Sequence, residues 1–387
     1  MKILSISDFF STGGAAIAGN RISNALRTNG AEIIQLSSDG RNTKEQRALF
    51  NGKKFTALNN LLSPFIPSSY AKSLTDNNLN HQFRKFLQHE KFDVINIHNL
   101  HSAGWPISLV SSALEFAPVV WTLHDCWSFL GSFYPSHCPA SNYSLKLKIK
   151  SFWRSIECQP TKNTLTAATP SNWMKDTASP SHWKGYEVRT IRNPVPKSFF
   201  EALDRESCKR VLGLSLKKPT VLCIAGNLTE ERKGGPILKE ILESDAQNHC
   251  QFTLIGESNG LNNPEVKSLG FVQDELTLRI AYNAADVLLH PAQVDNLPNT
   301  VAESMSCGTP ILAFNTGGLP EMVVPDKSGW LVEDLNTDAM IKELNSVLQS
   351  KQANNLRQST KETAHKLFNE KKVADDYFKV FNHSLST

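Results

Sequence analysis

Short apolar runs that stop at a polar residue or a proline recur along the chain, and between them apolar residues fall at helical spacing. Residues 2–7 (KILSIS) read as a first strand, and the small-residue turn of Ser11, Thr12, Gly13, Gly14, Ala15 and Ala16 then opens a helix carried by Ile17, Ile22 and Leu26. Residues 93–98 and 119–125 are two more strands, each ending in a polar group. In the second half, 219–225, 285–291 and 310–313 read as buried parallel strands, and 338–381 reads as helices. Alternation of this kind predicts α/β architecture, and 387 residues suffice for two domains with separate cores. The expected division is 1–195, a hinge or linker over 196–214 beginning at the Pro-rich 193–196, a second domain over 215–365, and a final helix over 366–387.

The stretch 295–310 (DNLPNTVAESMSCGTP) holds the densest chemistry. Asn296 can cap a helix with Pro298 in its first turn, and Val301, Ala302 and Met305 recur until Gly308 and Pro310 stop it. Asp295 then lies in the loop and Glu303 inside the helix, eight residues on. Amides at such a helix start, with the positive end of the dipole, favour a phosphate. The two carboxylates would repel that phosphate, so they suit hydrogen bonds from sugar or ribose hydroxyls. Two glycine turns after strands join this stretch: Arg232-Lys233-Gly234-Gly235, where cations sit beside backbone that can approach an anion, and 315–321 (NTGGLPE). Taken alone, the first of these reads as a basic surface turn.

In order, GN-x5-KGG, LIGE, SLGFV, ADVLLHPA, DNLPNTVAESMSCGTPILAF, TGGLPEMV and SGWLV resemble the retaining glycosyltransferases of the GT-B fold in the large glycogen-synthase-like family, including bacterial exopolysaccharide enzymes. The resemblance implies two Rossmann-like doubly wound domains facing across a cleft. It implies transfer of a sugar from a nucleoside diphosphate donor, a UDP-sugar or GDP-sugar, to a glycan or lipid-linked glycan acceptor in surface-polysaccharide assembly. It assigns the diphosphate to Lys233 and to the amides around Leu297, Asn299 and Thr300, the ribose to Glu303, and the donor sugar to Asp295. The T-L-H-D match makes His124 the main contact from the first domain, with His98 and His101 behind it in more structural roles. The Gly13-Gly14 turn lies in the family near the phosphate and the acceptor, although it lacks the G-x-G-x-x-G dinucleotide fingerprint.

Departures from the family pattern bear on the donor. Gly226-Asn227 stands where Gly-Arg is usual, so a diphosphate cation is absent there unless Arg232 replaces it, and Asn296 joins the donor loop. Asp295 stands where Glu is usual, which shortens its reach. Catalysis is assigned to His124, Lys233 and Asp295, without a cofactor. No Asp-x-Asp motif is present, and no divalent ion is expected in the reaction. Two other readings fit the pattern: a nucleotide-sugar epimerase of the same fold, and a non-catalytic binding protein on a degenerate scaffold.

Charge narrows the partners. With 41 Lys and Arg against 37 Asp and Glu, the net charge of +4 does not point to nucleic acid. The segment 144–154 interleaves lysines with Leu147, Phe152 and Trp153. It either packs those apolar groups inward or lies on an anionic membrane surface. Cys126, Cys138 and Cys158 lack the C-x-x-C spacing of a zinc pair. An odd total of seven cysteines, no signal peptide and no apolar run of membrane length lead to the expectation of a cytoplasmic enzyme, peripheral at most on the inner membrane.

Overall fold

The computed structural model describes residues 1–40, 43–48, 68–130, 163–261, 266–333, 335–350 and 352–386, without the side chains of 68–75 and 247. The basic segment 144–154, His137, Cys138 and Cys158 lie outside the described residues. The chain divides into two compact units, Met1–Pro194 with Lys371–Thr387, and Val195–Glu370.

The first unit is built on seven parallel strands: β1 (Lys2–Ile6), β2 (Glu32–Ser37), β3 (Gln46–Ala48), β4 (Val94–Ile97), β5 (Val119–Thr122), β6 (Leu165–Thr169) and β7 (Glu187–Thr190). Their order across the sheet is β3-β2-β1-β4-β5-β6-β7. The apolar runs show little alternation because both faces are covered. Leu4, Ile6, Ile95 and Ile97 enter one core, whereas Ile3, Val94 and Val120 enter the core on the other face. That second core is completed by the last helix, Glu370–Ser386, which contributes Val373, Ala374, Tyr377 and Phe381. Its Tyr377 hydroxyl and the Thr122 hydroxyl share a hydrogen bond of 3.0 Å.

The second unit has six parallel strands: β8 (Thr220–Asn227), β9 (Gln251–Glu257), β10 (Lys267–Ser268), β11 (Val287–His290), β12 (Ile311–Phe314) and β13 (Gly329–Val332). They are ordered β10-β9-β8-β11-β12-β13. Here too, neighbouring residues face opposite cores: Leu222 and Leu288 enter one, and Val221, Val287 and Leu289 the other.

Two expectations need correction. The stretch 196–214 is folded, with a 3-10 turn at Lys197–Phe200 and a helix at Arg205–Val211. Phe199, Cys208, Leu212 and Leu214 enter the core of the second unit, and the Asp204 carboxylate caps the helix by accepting from the Ser207 amide at 2.8 Å. The prolines at 194 and 196 set an extended start, but the apolar residues beyond them have a core to join. The second correction is that Asn296 is not a helix cap. The helix Asn299–Ser306 begins after Pro298, whose carbonyl accepts from the Val301 and Ala302 amides.

Candidate functional site

Three loops meet at the C-terminal edge of β8, β11 and β12, which are neighbours in the sheet. In open parallel sheets this edge is where ligands bind. The middle loop, after His290, is clamped from both sides. On one side the Gln293 amide donates to the Arg232 carbonyl at 3.0 Å; on the other, the Gly318 amide donates to the Asp295 carbonyl at 2.9 Å. Gly234 and Gly317, at φ of 79° and 60°, allow this closeness, because a Cβ on either would collide with the carbonyl oxygen of Pro291 or of Asp295.

The clamp brings Lys233 to Asp295, with Nζ 2.5 Å from Oδ2. Oδ1 accepts from the Asn296 amide at 3.0 Å, and His290 Nε2 lies 3.5 Å from Oδ2. Asp295 is 4% exposed. Burial would raise its pKa, but the Lys233 ammonium and His290 outweigh that and hold the carboxyl far below the usual range. Burial also lowers the pKa of His290, against the opposing pull of Asp295. The edge therefore presents a fixed carboxylate and a half-buried ammonium at neutral pH.

The other residues expected at the donor take distinct places. Arg232 pairs with Glu230 at 3.0 Å, and its Nη1 reaches the Val294 carbonyl at 3.5 Å. Asn227 shapes its loop, since its Oδ1 accepts from the amide and the hydroxyl of Thr229 at 2.8 and 2.7 Å. Asn296 is buried, and the Leu297 side chain belongs to the core, leaving only its backbone for a ligand. Asn299 and Thr300, both half-buried, open the helix, so their amides point out of its start. Glu303 is buried one turn farther on, where the buried Tyr282 hydroxyl donates to its Oε2 at 2.8 Å.

The first unit gathers a different set at the ends of its own neighbouring strands β1, β4 and β5. His98 Nδ1 and His124 Nε2 lie 3.0 Å apart, with the rings stacked at 5.2 Å. Burial lowers the His124 pKa to about 4, and burial together with His124 holds that of His98 well below its ordinary value, so the two share a hydrogen bond as neutral rings. Beside them, the Asp125 pKa is raised to about 6, by burial first and with a contribution from Asp8; His101, whose Nε2 is 3.6 Å away, opposes the rise. Asp8, also buried, accepts from the Ser102 amide at 2.8 Å. Gly13 and Gly14 are exposed at the start of the helix Gly14–Thr28, with Gly13 at φ 90°.

Sequence reasoning missed four members of these edges. His290 ends its strand, and Asp8 lies two residues past its own, as His124 does; these strand-end positions were the available signal. Asp125 stands next to His124. Tyr282 carried none, since it sits on the apolar face of a helix. Among the described residues, no group of three or more His, Cys, Asp or Glu side chains is placed to hold a metal ion, and no helix is long and apolar enough to cross a membrane. The five described cysteines, Cys126, Cys208, Cys223, Cys250 and Cys307, form no disulfide and are buried.

Comparison with known proteins agrees with this geometry. Residues 218–350 match the family described as Glycosyl transferases group 1, and residues 12–199 match Glycosyltransferase Family 4. The D-inositol 3-phosphate glycosyltransferase of Corynebacterium jeikeium is 29% identical over 177 residues, which cover 39% of this chain and 42% of the relative. The chain thus aligns with less than half the length of that protein. Sucrose-phosphate synthase from Thermosynechococcus elongatus superposes with a TM-score of 0.75 at 18% identity, covering 100% of this chain and 99% of that one. Anabaena Alr3699/HepE in complex with UDP-glucose superposes at 0.68 with 16% identity, covering 99% of this chain and 100% of its own.

Proposed function

Because the chain belongs to the group 1, family 4 glycosyltransferases and is an enzyme of the GT-B fold, we propose that it transfers a sugar from a nucleoside diphosphate donor to a hydroxyl of a glycan or lipid-linked glycan. Transfer proceeds with retention at the anomeric carbon and without a metal, in surface-polysaccharide assembly. UDP and GDP are the favoured carriers; the complex of HepE with UDP-glucose, a structural neighbour, supports the first. The observation that carries the reading is the contact between Lys233 and Asp295 at the helix start that follows β11.

The geometry supplies the steps. As the donor enters, Lys233 takes the diphosphate as a further partner beside Asp295, and the amides of Asn299 and Thr300 take up more of that charge. Charge that grows on the leaving diphosphate as the glycosidic bond breaks then meets donors already in place. Asp295 stays ionised, so it cannot protonate a leaving group. It accepts hydrogen bonds from donor-sugar hydroxyls and stabilises positive charge at the anomeric carbon. Glu303, braced by Tyr282, accepts from the ribose. In the first unit, the neutral His124 bonds to a sugar hydroxyl, and Asp8 and Asp125 serve the acceptor.

The test is a product assay with UDP-sugars and GDP-sugars, a lipid-linked glycan acceptor and excess EDTA. The expected product is an α-glycoside from an α-linked donor, with undiminished rate in EDTA. An inverted anomer would sink retention, and loss of rate in EDTA would sink metal independence. An isomerised donor with no glycoside would identify an epimerase instead.

A further inference from the structure

A cavity of about 360 Å³ opens in the second unit at the opposite edge of the sheet from the donor loops. Asp286 and Val287 line it where β11 begins, and His290, beside Asp295, is where β11 ends. The two places are one strand length apart, roughly 13 Å. Four cations line the cavity, Arg205, Lys209, Lys217 and Lys218, against two carboxylates, Glu206 and Asp286. Glu206 is already paired with Arg210 at 2.9 Å.

Asp286 alone therefore balances the interior of the cavity. Its Oδ1 meets Arg205 Nη2, and its Oδ2 accepts from Lys209 Nζ at 3.0 Å and from the Thr220 amide at 2.8 Å. Lys209 is 4% exposed. Burial, and after it the guanidinium groups of Arg205 and Arg357, lowers its pKa to about 8. Arg205 has its Nη1 on Asn354 at 2.6 Å, while its Nε is buried with no hydrogen-bond partner. Crowding cations around one carboxylate, with a guanidinium N–H left unsatisfied, is costly unless an anion completes the set. The remaining wall is apolar: Leu216, 45% exposed, with Pro219 and Leu348.

We propose that this cavity is a second ligand site, taking a small phosphomonoester whose phosphate sits against Arg205, Lys209 and the Lys217–Lys218 rim and whose apolar body lies over Leu216 and Leu348. The exposed rim ammonium groups and the unsatisfied Arg205 Nε–H supply donors for a phosphate, and the apolar wall distinguishes an organic ester from the inorganic ion. The site is independent of the donor edge, because none of its lining residues belongs to the loops that hold Lys233 and Asp295.

Calorimetric titration of phenyl phosphate and of inorganic phosphate tests the proposal on the wild type, Lys233→Ala, Arg205→Ala and the double variant Lys217→Ala/Lys218→Ala. Phenyl phosphate is expected to bind one to one, with the same affinity in Lys233→Ala, and more tightly than inorganic phosphate. Affinity should fall about tenfold in the rim variant and further in Arg205→Ala. Absence of saturable binding, its loss in Lys233→Ala, or unchanged affinity in the rim variant would overturn the site. Equal affinity for the two phosphates would overturn the apolar contact. The rim lysines are exposed, so that variant decides the matter even if Arg205→Ala fails to fold.

Discussion

In the first unit the ends of β1, β4 and β5 carry Asp8, His98, His124 and Asp125; in the second the ends of β8, β11 and β12 carry Lys233, His290 and Asp295. Both sets lie largely out of water at the same edge of the same kind of sheet, yet their acids and bases respond to burial in opposite ways. The two histidines are driven neutral, and Asp125 is drawn toward neutrality, because no nearby counter-charge outweighs the lost water. Asp295 is buried too but keeps its charge, because Lys233 touches it and His290 lies beside it. A neutral edge suits hydroxyl groups, and a charged edge suits a diphosphate. The division of labour proposed above, acceptor at one edge and donor at the other, would rest on whether each group was given a charged partner.

The sharpest way to break the comparison is to remove that partner. Lys233→Ala should lower kcat/KM by about a thousandfold, the scale found when one preorganised donor to a developing anion is lost. Steady-state kinetics with a saturating acceptor would show it. A loss below about tenfold would mean that Arg232 or the helix amides carry the leaving group, and that charge on this edge matters less than argued.

Acid tests the other edge. The histidine contribution is present in full above the unfolded pKa of about 6.5 and is lost as pH falls toward the folded value, near 4 for His124. Over that window the unfolded chain binds a proton that the folded one refuses, a loss on the order of 3 kcal/mol for one ring. His124→Gln is expected to flatten the decline of the melting temperature between pH 6.5 and 4, read by calorimetry. An unchanged slope would mean that the ring is not buried as a neutral group.

Asp125 runs the other way. Its folded pKa near 6 lies above the ordinary carboxylate value, so folding favours the protonated form, and that contribution is lost as pH rises through 6. Asp125→Asn keeps an oxygen to accept from the Trp127 amide and removes the buried charge. It should stabilise the protein by about 3 kcal/mol at pH 8 and by little at pH 4. Equal effects at both values would assign the change to packing instead.

Much of this was legible before the fold. Strands β1, β4, β8, β11 and β12 follow from apolar runs that end in polar residues, and with them the edge of one sheet where Lys233 and Asp295 meet and the edge of the other where His124 stands. What escaped depends on tertiary contact. Asn296 has the residue type and position of a helix cap, but the clamped loop turns its amide onto Asp295 and delays the helix until Asn299. Gly234 and Gly317 read as turns, while the reason for them lies in the carbonyls of Pro291 and Asp295, which other segments bring close. Asp8 meets the amide of Ser102, which is 94 residues away. The stretch 196–214 looks like a linker until the core that accepts Phe199 and Cys208 is present.

Tyr282 offers the finest discrimination. Its hydroxyl is buried and bonds to Glu303 Oε2, so Tyr282→Phe leaves shape and apolar contact intact and removes one hydrogen bond to a carboxylate. Such a bond contributes about 1.5 kcal/mol or more, and part of it returns if water or a rotated side chain satisfies Glu303. Because Glu303 is assigned to the ribose, which is held alike in ground and transition states, the loss belongs in KM. A rise in donor KM of about fivefold with kcat unchanged is the expected result. If kcat falls and KM holds, Glu303 acts on the reacting sugar, and the donor edge uses both of its carboxylates in the transition state. If neither moves while Glu303→Ala abolishes donor binding, Glu303 is positioned by its other contacts, and the hydroxyl of Tyr282 only satisfies a buried carboxylate.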